Sequence, residues 1–566
     1  MEPTPHAHRT SPTPDVGTTP QQTDSRAASF CIDVLGERVA SRRMVESVGL
    51  DDWFLTAEQR GNAATALDSR HADGAAWTVG NRVRAHVHGA SYFGELLAGV
   101  RAMRAGDHLF FTDWRGDPDE RLAGPGTEVA GVLADAAARG IVVRRLMWRS
   151  HLDAFRYHQS ENRLLGEEVQ AAGGECLLDM RVRAGGSHHQ KLVVLRHRDH
   201  PERDVAYLGG IDLCHGRKDD HTHRGDEQPC PIGRVYGPRP AWHDVQVAVQ
   251  GPPVADVETA FRERWEDPAP LTRNPVWRWR DRILRPTGPA PCPPRFPDPP
   301  PCGTDAVQIL RTYPYRRRGY HFAPAGERSI ARAYVKALGR ARHLVYVEDQ
   351  YVWSPHVVGV FARALAESPT LRMIAVVPHF PDRDSAVYNA PQLAARARSL
   401  QLLRSCGGDR VAVYGIENPA GTPVYVHAKV CVVDDEWAAV GSDNVNLRSW
   451  TFDSELSCAV LDGSSSAQRF ALRLRLALAR EHLDRPDGDD EDLCDAGGVF
   501  DAFARSAAAL DAWHAGGRRG PRPPGRLRPY RVPPLSGLTA RWAHPVYRLM
   551  YDPDGRPPAL RHSGGF

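Results

Sequence analysis

Two short patterns in this 566-residue chain could do chemistry: His189-Gln190-Lys191 and His427-Ala428-Lys429. Of 72 basic residues only four are lysine (Lys191, Lys218, Lys336 and Lys429), and two of those four fall in these patterns. In a chain so biased toward arginine, a surviving lysine marks a place where a compact ammonium does what a planar guanidinium does not. Side chains two apart on a strand face the same way, so each pattern sets an imidazole beside an ammonium. The ammonium suits an anionic oxygen, and the imidazole suits nucleophilic attack or general acid work. Two such pairs around one centre match a phosphodiester: lysines on the non-bridging oxygens, one histidine at phosphorus, the other protonating the leaving oxygen. Each histidine then needs a carboxylate to hold its tautomer. Asp244 and Glu455, at matching places in the two halves, are the candidates.

The surrounding periodicities show what must position these groups. Helical spacing over 91–103, 128–138, 329–338 and 357–366 alternates with apolar strand runs at 108–112, 141–147, 344–347 and 371–377. Each half then runs through a strand carrying the His-x-Lys pair (187–195 and 424–433). A glycine turn follows, Gly209-Gly210-Ile211-Asp212 or Gly441-Ser442-Asp443-Asn444, then a further strand at 245–249 or 456–461. Such alternation implies an α/β fold with helices over a largely buried sheet, and the matched order implies an internal pseudo-dimer. The expected organisation is a disordered or poorly patterned segment 1–70, a first lobe 71–266, a proline-rich linker 267–304, a second lobe 305–480 and a C-terminal extension 481–566. One helix is expected at 499–514, beside an Arg/Pro run at 518–531 read as solvated linker.

Composition sets the outer limits. With 42% apolar and 25% charged residues the chain reads as soluble and globular. It has no run approaching the ~18 apolar residues of a membrane span, and residues 1–30 lack the apolar core of a secretory signal. A cytoplasmic protein, peripheral at the membrane, is therefore expected. A net charge of +3 is too small to argue for a nucleic-acid partner. The ten cysteines form no C-x-x-C pair and read as reduced thiols.

The run Val426-His427-Ala428-Lys429-Val430-Cys431-Val432-Val433-Asp434 fits in full the His-x-Lys-x4-Asp signature of the phospholipase D superfamily. Gly441 to Ser449, Asp453-Ser454-Glu455, Tyr346 to Tyr351, Gly209 to Leu213 with Gly216-Arg217, and Trp242-His243-Asp244-Val245 resemble the eukaryote-like members of that group. The resemblance covers roughly residues 80 to 480. It implies two pseudo-symmetric α/β/α sandwich lobes with mixed β-sheets and an active site at their interface. The implied activity is hydrolysis of a glycerophospholipid of the phosphatidylcholine type to phosphatidate and free headgroup, with water or an alcohol as acceptor. In that reading His189 forms a phosphohistidine, His427 is the acid and then the base, and Lys191 and Lys429 with Asp212 and Asn444 cradle the phosphate. Asp244 and Glu455 orient the rings. No metal or cofactor enters, because the lysines supply the charge. The partner is phospholipid at a membrane surface, and the chain is expected to act as a monomer.

The first motif departs from the signature, with Arg196 where the aspartate belongs. Seven positions from His189 is an odd interval, which points that side chain to the opposite face. The missing aspartate thus reads as a structural brace, with Asp199 or Asp204 as stand-ins. Cys214-His215, His221, His223 and Cys230 fit no zinc spacing and read as a polar active-site loop. Trp114 is a packed strand-end aromatic or a headgroup-pocket wall. The rival functions are a cardiolipin-synthase-like phosphatidyltransferase, a nuclease, and a lipid-binding pseudoenzyme whose first motif lapsed.

Overall fold

Runs such as Leu192–Arg196 and Lys429–Val433 are buried at every position, as strands covered on both faces must be. The computed structural model describes residues 49–566 except 72, 151–158, 285–288, 463–468, 534 and 564. In the first half the strands are β1 Thr78–Val87, β2 His108–Asp113, β3 Val142–Trp148, β4 Glu175–Asp179, β5 Leu192–Arg196, β6 Val205–Gly209, β7 Ala241–His243 and β8 Val245–Gln250. The second half holds β9 Asp305–Tyr313, β10 Glu327–Arg328, β11 Leu344–Asp349, β12 Arg372–Val376, β13 Val411–Ile416 and β14 Val424–Val426. It continues with β15 Lys429–Val433, β16 Trp437–Gly441, β17 Glu455–Asp462 and β18 Leu527–Pro529.

All of these but β7 and β14 form one mixed sheet. Outward from β1 the order is β8-β6-β5-β2-β3-β4, and outward from β9 it is β17-β16-β15-β11-β12-β13. In both runs the first four pairings are antiparallel and the last two parallel. β1 pairs antiparallel with β9, so the two expected sheets are continuous. One face is covered by helices Pro253–Trp265 and Phe470–Leu483 over a core shared by both halves, including Val257, Phe261, Leu474 and Leu478. The other face has separate covers: Gly89–Ala102 and Val129–Ala138 over the first half, Ser329–Arg340 and Pro355–Glu367 over the second.

Several expectations change. The motif strands are not continuous: the first ladder starts only at Leu192, and the second breaks between β14 and β15. There the N–H groups of His427 and Ala428 both turn to the His243 carbonyl, at 2.7 and 3.2 Å. The stretch expected as linker contains a helix, Pro275–Leu284. Most of the segment expected to be disordered, 1–48, lies outside the described residues. From Gly49 on, Trp53, Phe54 and Leu55 are buried against the second half. The Arg/Pro run is not solvated linker: Arg526 pairs with Asp484 at 2.7 Å, Arg528 with Glu417 at 3.0 Å, and β18 extends the sheet beside β13. Eight cysteines are free thiols, whereas Cys494 is disulfide-bonded, unlike the reduced set expected.

Arg196 shows how the first motif manages without its aspartate. In the second motif Asp434 accepts the N–H groups of Arg342, His343 and Leu344 at 2.7–2.8 Å, which braces the turn into β11. Arg196 is itself buried and donates to Asp204 at 2.7 Å, to Glu258, and to the Pro297 carbonyl at 2.6 Å. Asp204 also accepts the His197 N–H, so it, and not Asp199, is the stand-in. Arg196→Asp, which would restore the signature, would place a third buried carboxylate beside Asp204, which loses its arginine, and Glu258, which keeps only Arg262. Breaking a buried pair in this way costs about 3–5 kcal/mol. A matching fall in the urea unfolding midpoint is expected, and an unchanged midpoint would show that the pair is not needed.

Candidate active site

The order of the sheet brings the start of β17, the residue before β8, and both motif histidines to one seam. His189 Nδ1 lies 2.8 Å from Glu455 Oε2, and His427 Nδ1 lies 2.7 Å from Asp244 Oδ2. The pairing is crossed: each imidazole is held by the carboxylate of the other half. The backbone repeats the cross. His189 N–H donates to the Ser454 carbonyl at 2.9 Å, and His427 N–H to the His243 carbonyl at 2.7 Å. In each case the acceptor is the residue just before the carboxylate that holds the ring. The small β7–β14 pair is the ladder that fixes the second of these contacts.

The six chemical groups are all nearly enclosed. The His189 and His427 side chains are 15% and 9% exposed, and the carboxylates that hold them 0% and 1%. Lys191 Nζ donates to the carbonyl of its own motif histidine, His189, at 3.1 Å, and Lys429 Nζ likewise to that of His427. Lys191 also lies 3.4 Å from Asp212 Oδ2. Asp212 Oδ1 accepts the Trp114 N–H at 3.0 Å, which makes this aspartate a counter-ion and turn brace. Asn444 is buried, its side-chain oxygen without a hydrogen-bond partner among the described residues.

Electrostatics differ between the two pairs. Burial, with Lys191 and Lys429 nearby, holds His189 well below the usual histidine range. Burial and Lys429 do the same to His427. Burial pushes Glu455 up to about 8, against the Ser442 hydroxyl, which donates to it at 2.6 Å. Asp244 is equally buried, but His427, Lys429 and the Val245 N–H at 2.9 Å together hold it below the usual carboxylate range. Gly210 makes room for this carboxylate, since a Cβ there would lie 2.1 Å from Asp244 Oδ1. Ser442 stands at the matching place of the second half. Burial lowers Lys429 to about 8, with Lys191 adding repulsion and Asp244 and Asp349 opposing both.

Aromatic rings frame both histidines, and their part was only partly foreseen. Trp114 stacks on Trp148 at 5.6 Å and presents an edge to His189 at 5.9 Å, so it is both packed and at the site. Trp242 lies 4.9 Å from His427, and the Arg217 guanidinium sits 3.7 Å over the Trp242 ring. Tyr425 and Trp242 pack together next to that ring. The cysteine–histidine segment does not gather as a metal site among the described residues. Cys230 faces Arg115, and His223 turns instead to His88, His243 and Glu481, a cluster that no sequence spacing announced.

A family model described as phospholipase D matches residues 165–276. Phospholipase D alpha 1 of Cynara cardunculus is 25% identical over 502 residues, covering 66% of this chain and 61% of its own length. The Nicotiana tabacum protein of that name is 26% identical over 488 residues, covering 64% and 60%. The chain spans about 60% of the length of the curated relatives it matches. Together with the two His-x-Lys motifs, these matches support the resemblance of the chain to the phospholipase D superfamily. Among solved structures, phosphatidylserine synthase of Haemophilus influenzae Rd KW20 is similar at 13% identity and a TM-score of 0.47, over 77% of this chain and 94% of its own.

The lowered lysine can be read directly, because the chain has only four lysines. Carbon-13 lysine labelling therefore gives four ε-carbon signals. That of Lys429, assigned by its loss in Lys429→Arg, is expected to titrate near pH 8. The ammonium persists below that pH and is lost as pH rises through it, so binding of inorganic phosphate is expected to weaken over the same interval. A Lys429 signal unmoved until about pH 10, the range of an ordinary lysine, would contradict the burial effect.

Proposed function

We propose that the chain is a phosphodiesterase of the phospholipase D type, acting on a glycerophospholipid such as phosphatidylcholine through a phosphohistidine. The observation that carries this reading is the pair of crossed His–carboxylate contacts flanked by Lys191 and Lys429. Bonded to Glu455 through Nδ1–H, neutral His189 keeps the Nε2 lone pair free for phosphorus. As the P–N bond forms, the P–O bond to the headgroup breaks, and His427 Nε2–H protonates the departing oxygen. Ionised Asp244 stabilises the charged form of His427 that this step needs. Water then gives its proton to His427 and attacks phosphorus, releasing phosphatidate and free His189. An alcohol in place of water gives the phosphatidyl-alcohol. The two ammonium groups neutralise charge on the non-bridging oxygens throughout.

Lipid as the substrate draws support from three sources. The relatives named above are phospholipases D. Tyr351, Trp353, Phe380 and Tyr425 line a cleft beside the His427 ring. Leu549 and Met550 are exposed on a turn that Arg448 ties to Asp453, two residues before Glu455. Among the described residues no helix is long and apolar enough to cross a membrane. Apolar side chains near the mouth would then supply contact with the lipid surface.

Phosphatidylcholine vesicles with a short primary alcohol, read by mass spectrometry of the lipids, test the reading. Phosphatidate and phosphatidyl-alcohol are expected, both falling by about 10²–10⁴-fold in His427→Ala, the usual worth of a general acid. Product only when phosphatidylglycerol is both donor and acceptor would favour a phosphatidyltransferase. No product from phosphatidylcholine, phosphatidylglycerol, cardiolipin or nucleic acid would overturn the proposal.

A further inference from the structure

Behind His427 lies a second constellation that the proposed reaction does not use. His88 precedes the helix Gly89–Ala102, His223 lies in the loop between β6 and β7, His243 ends β7, and Glu481 sits on the helix Phe470–Leu483. One ligand-type atom from each of these four residues lies within 4.8 Å of the others. The three histidines are at most 2% exposed, and the Glu481 side chain is 9% exposed.

Hydrogen bonding does not complete this group. Glu481 meets His88 Nε2 at 2.7 Å through one oxygen and His223 Nε2 at 2.9 Å through the other. The third imidazole points its Nδ1 at the same carboxylate from 3.4 Å, with no hydrogen-bond partner among the described residues. Its Nε2 is engaged by Glu348 at 2.5 Å. When His243 is neutral and gives its Nε2–H to Glu348, its Nδ1 lone pair faces the Glu481 carboxylate oxygen in a buried setting. A cation between them would turn that repulsion into ligation.

We propose that His88, His223, His243 and Glu481 bind one zinc(II) ion as a closed structural site beneath His427. Three imidazoles and a carboxylate are a four-donor set suited to tetrahedral zinc, whose bonds of about 2.0–2.1 Å put neighbouring ligand atoms about 3.3 Å apart. The Glu481 contacts of 2.7–3.4 Å already match this spacing, and all four ligand atoms lie within 4.8 Å of one another. The surroundings are those of a metal site as well. Glu348 backs His243 and is held in turn by the Tyr346 hydroxyl at 2.5 Å and by His482 at 2.7 Å. Asp219 lies 3.5 Å from His223 Nδ1. Carboxylates behind ligating histidines fix the tautomer and the ring orientation. His88 and His223 both have positive φ, 77° and 51°, as residues held by a local clamp often do. The ion would join three places in the first half to one in the second, and would hold His243, whose carbonyl takes the His427 N–H. It touches neither motif histidine, so the inference stands apart from the reaction proposed above.

The rival is a metal-free network in which His243 is an imidazolium between Glu348 and Glu481. Those two carboxylates offset burial and raise its pKa to about 10. Metal analysis of tag-free protein decides between the two. About one zinc per chain is expected, removable by a chelator. Cobalt added to the stripped chain should then show tetrahedral d–d bands without thiolate charge transfer. His223→Gln should lower zinc content at least about 5-fold, since metal sites rarely survive loss of a ligand, while Cys214→Ala should retain it. If His223→Gln does not fold, the wild-type cobalt spectrum still decides. Wild type with no zinc as purified and no cobalt spectrum would overturn the proposal, as would a thiolate band or full zinc retention in soluble His223→Gln.

Discussion

The molecule turns on the exchange of partners across its seam. Each motif imidazole is bonded to a carboxylate carried by the other half, and its backbone N–H is taken by the residue before that carboxylate. Neither half alone can set the tautomer of its own histidine. The relative position of the halves is therefore part of the site, and much of the architecture restrains it. β1 pairs with β9, one core runs beneath both halves, and β7 lies against β14. A shift of an ångström at this seam would lengthen both pairs together, which is more than a reacting geometry tolerates.

Within that arrangement the two sides are not equivalent. Gly210 on one side leaves space for Asp244, which accepts a backbone N–H and stays ionised. Ser442 on the other side donates a hydroxyl to Glu455, whose buried carboxyl is pushed up to about 8. Where Asp434 accepts three amides before β11 in the second half, the first half instead buries Arg196 against Asp204 and Glu258. That exchange is remote from the reacting groups, and His189 and Lys191 keep the same kind of geometry as His427 and Lys429. These differences support distinct tasks for the two histidines, an ionised carboxylate suiting the one that must carry a proton.

What the sequence made legible follows from the range over which its signals act. Helix and strand alternation is local, and 91–103 and 344–347 were readable because apolar spacing is set by immediate neighbours. The site residues were readable as types, since few chemistries use two His-x-Lys pairs and two matched carboxylates. The crossed pairing was not, because it joins residues 266 and 183 positions apart through the sheet order. Strand continuity through His427 failed for a related reason: a distant carbonyl takes two amides that a local ladder would have used. The cluster of His88, His223, His243 and Glu481 has no spacing signature, since four separate elements supply it. The Arg/Pro run looked solvated because its partners, Asp484, Asp511 and Glu417, lie in other segments.

The central claim is that the seam makes His189 the nucleophile and His427 the proton carrier. Rapid acid-free quenching of enzyme turning over a phosphorus-labelled phosphatidyl substrate, with peptide mapping by mass spectrometry, tests it most directly. The expected result is label on His189, accumulating further in His427→Ala and absent in His189→Asn. Label on His427, or label that persists in His189→Asn, would contradict it.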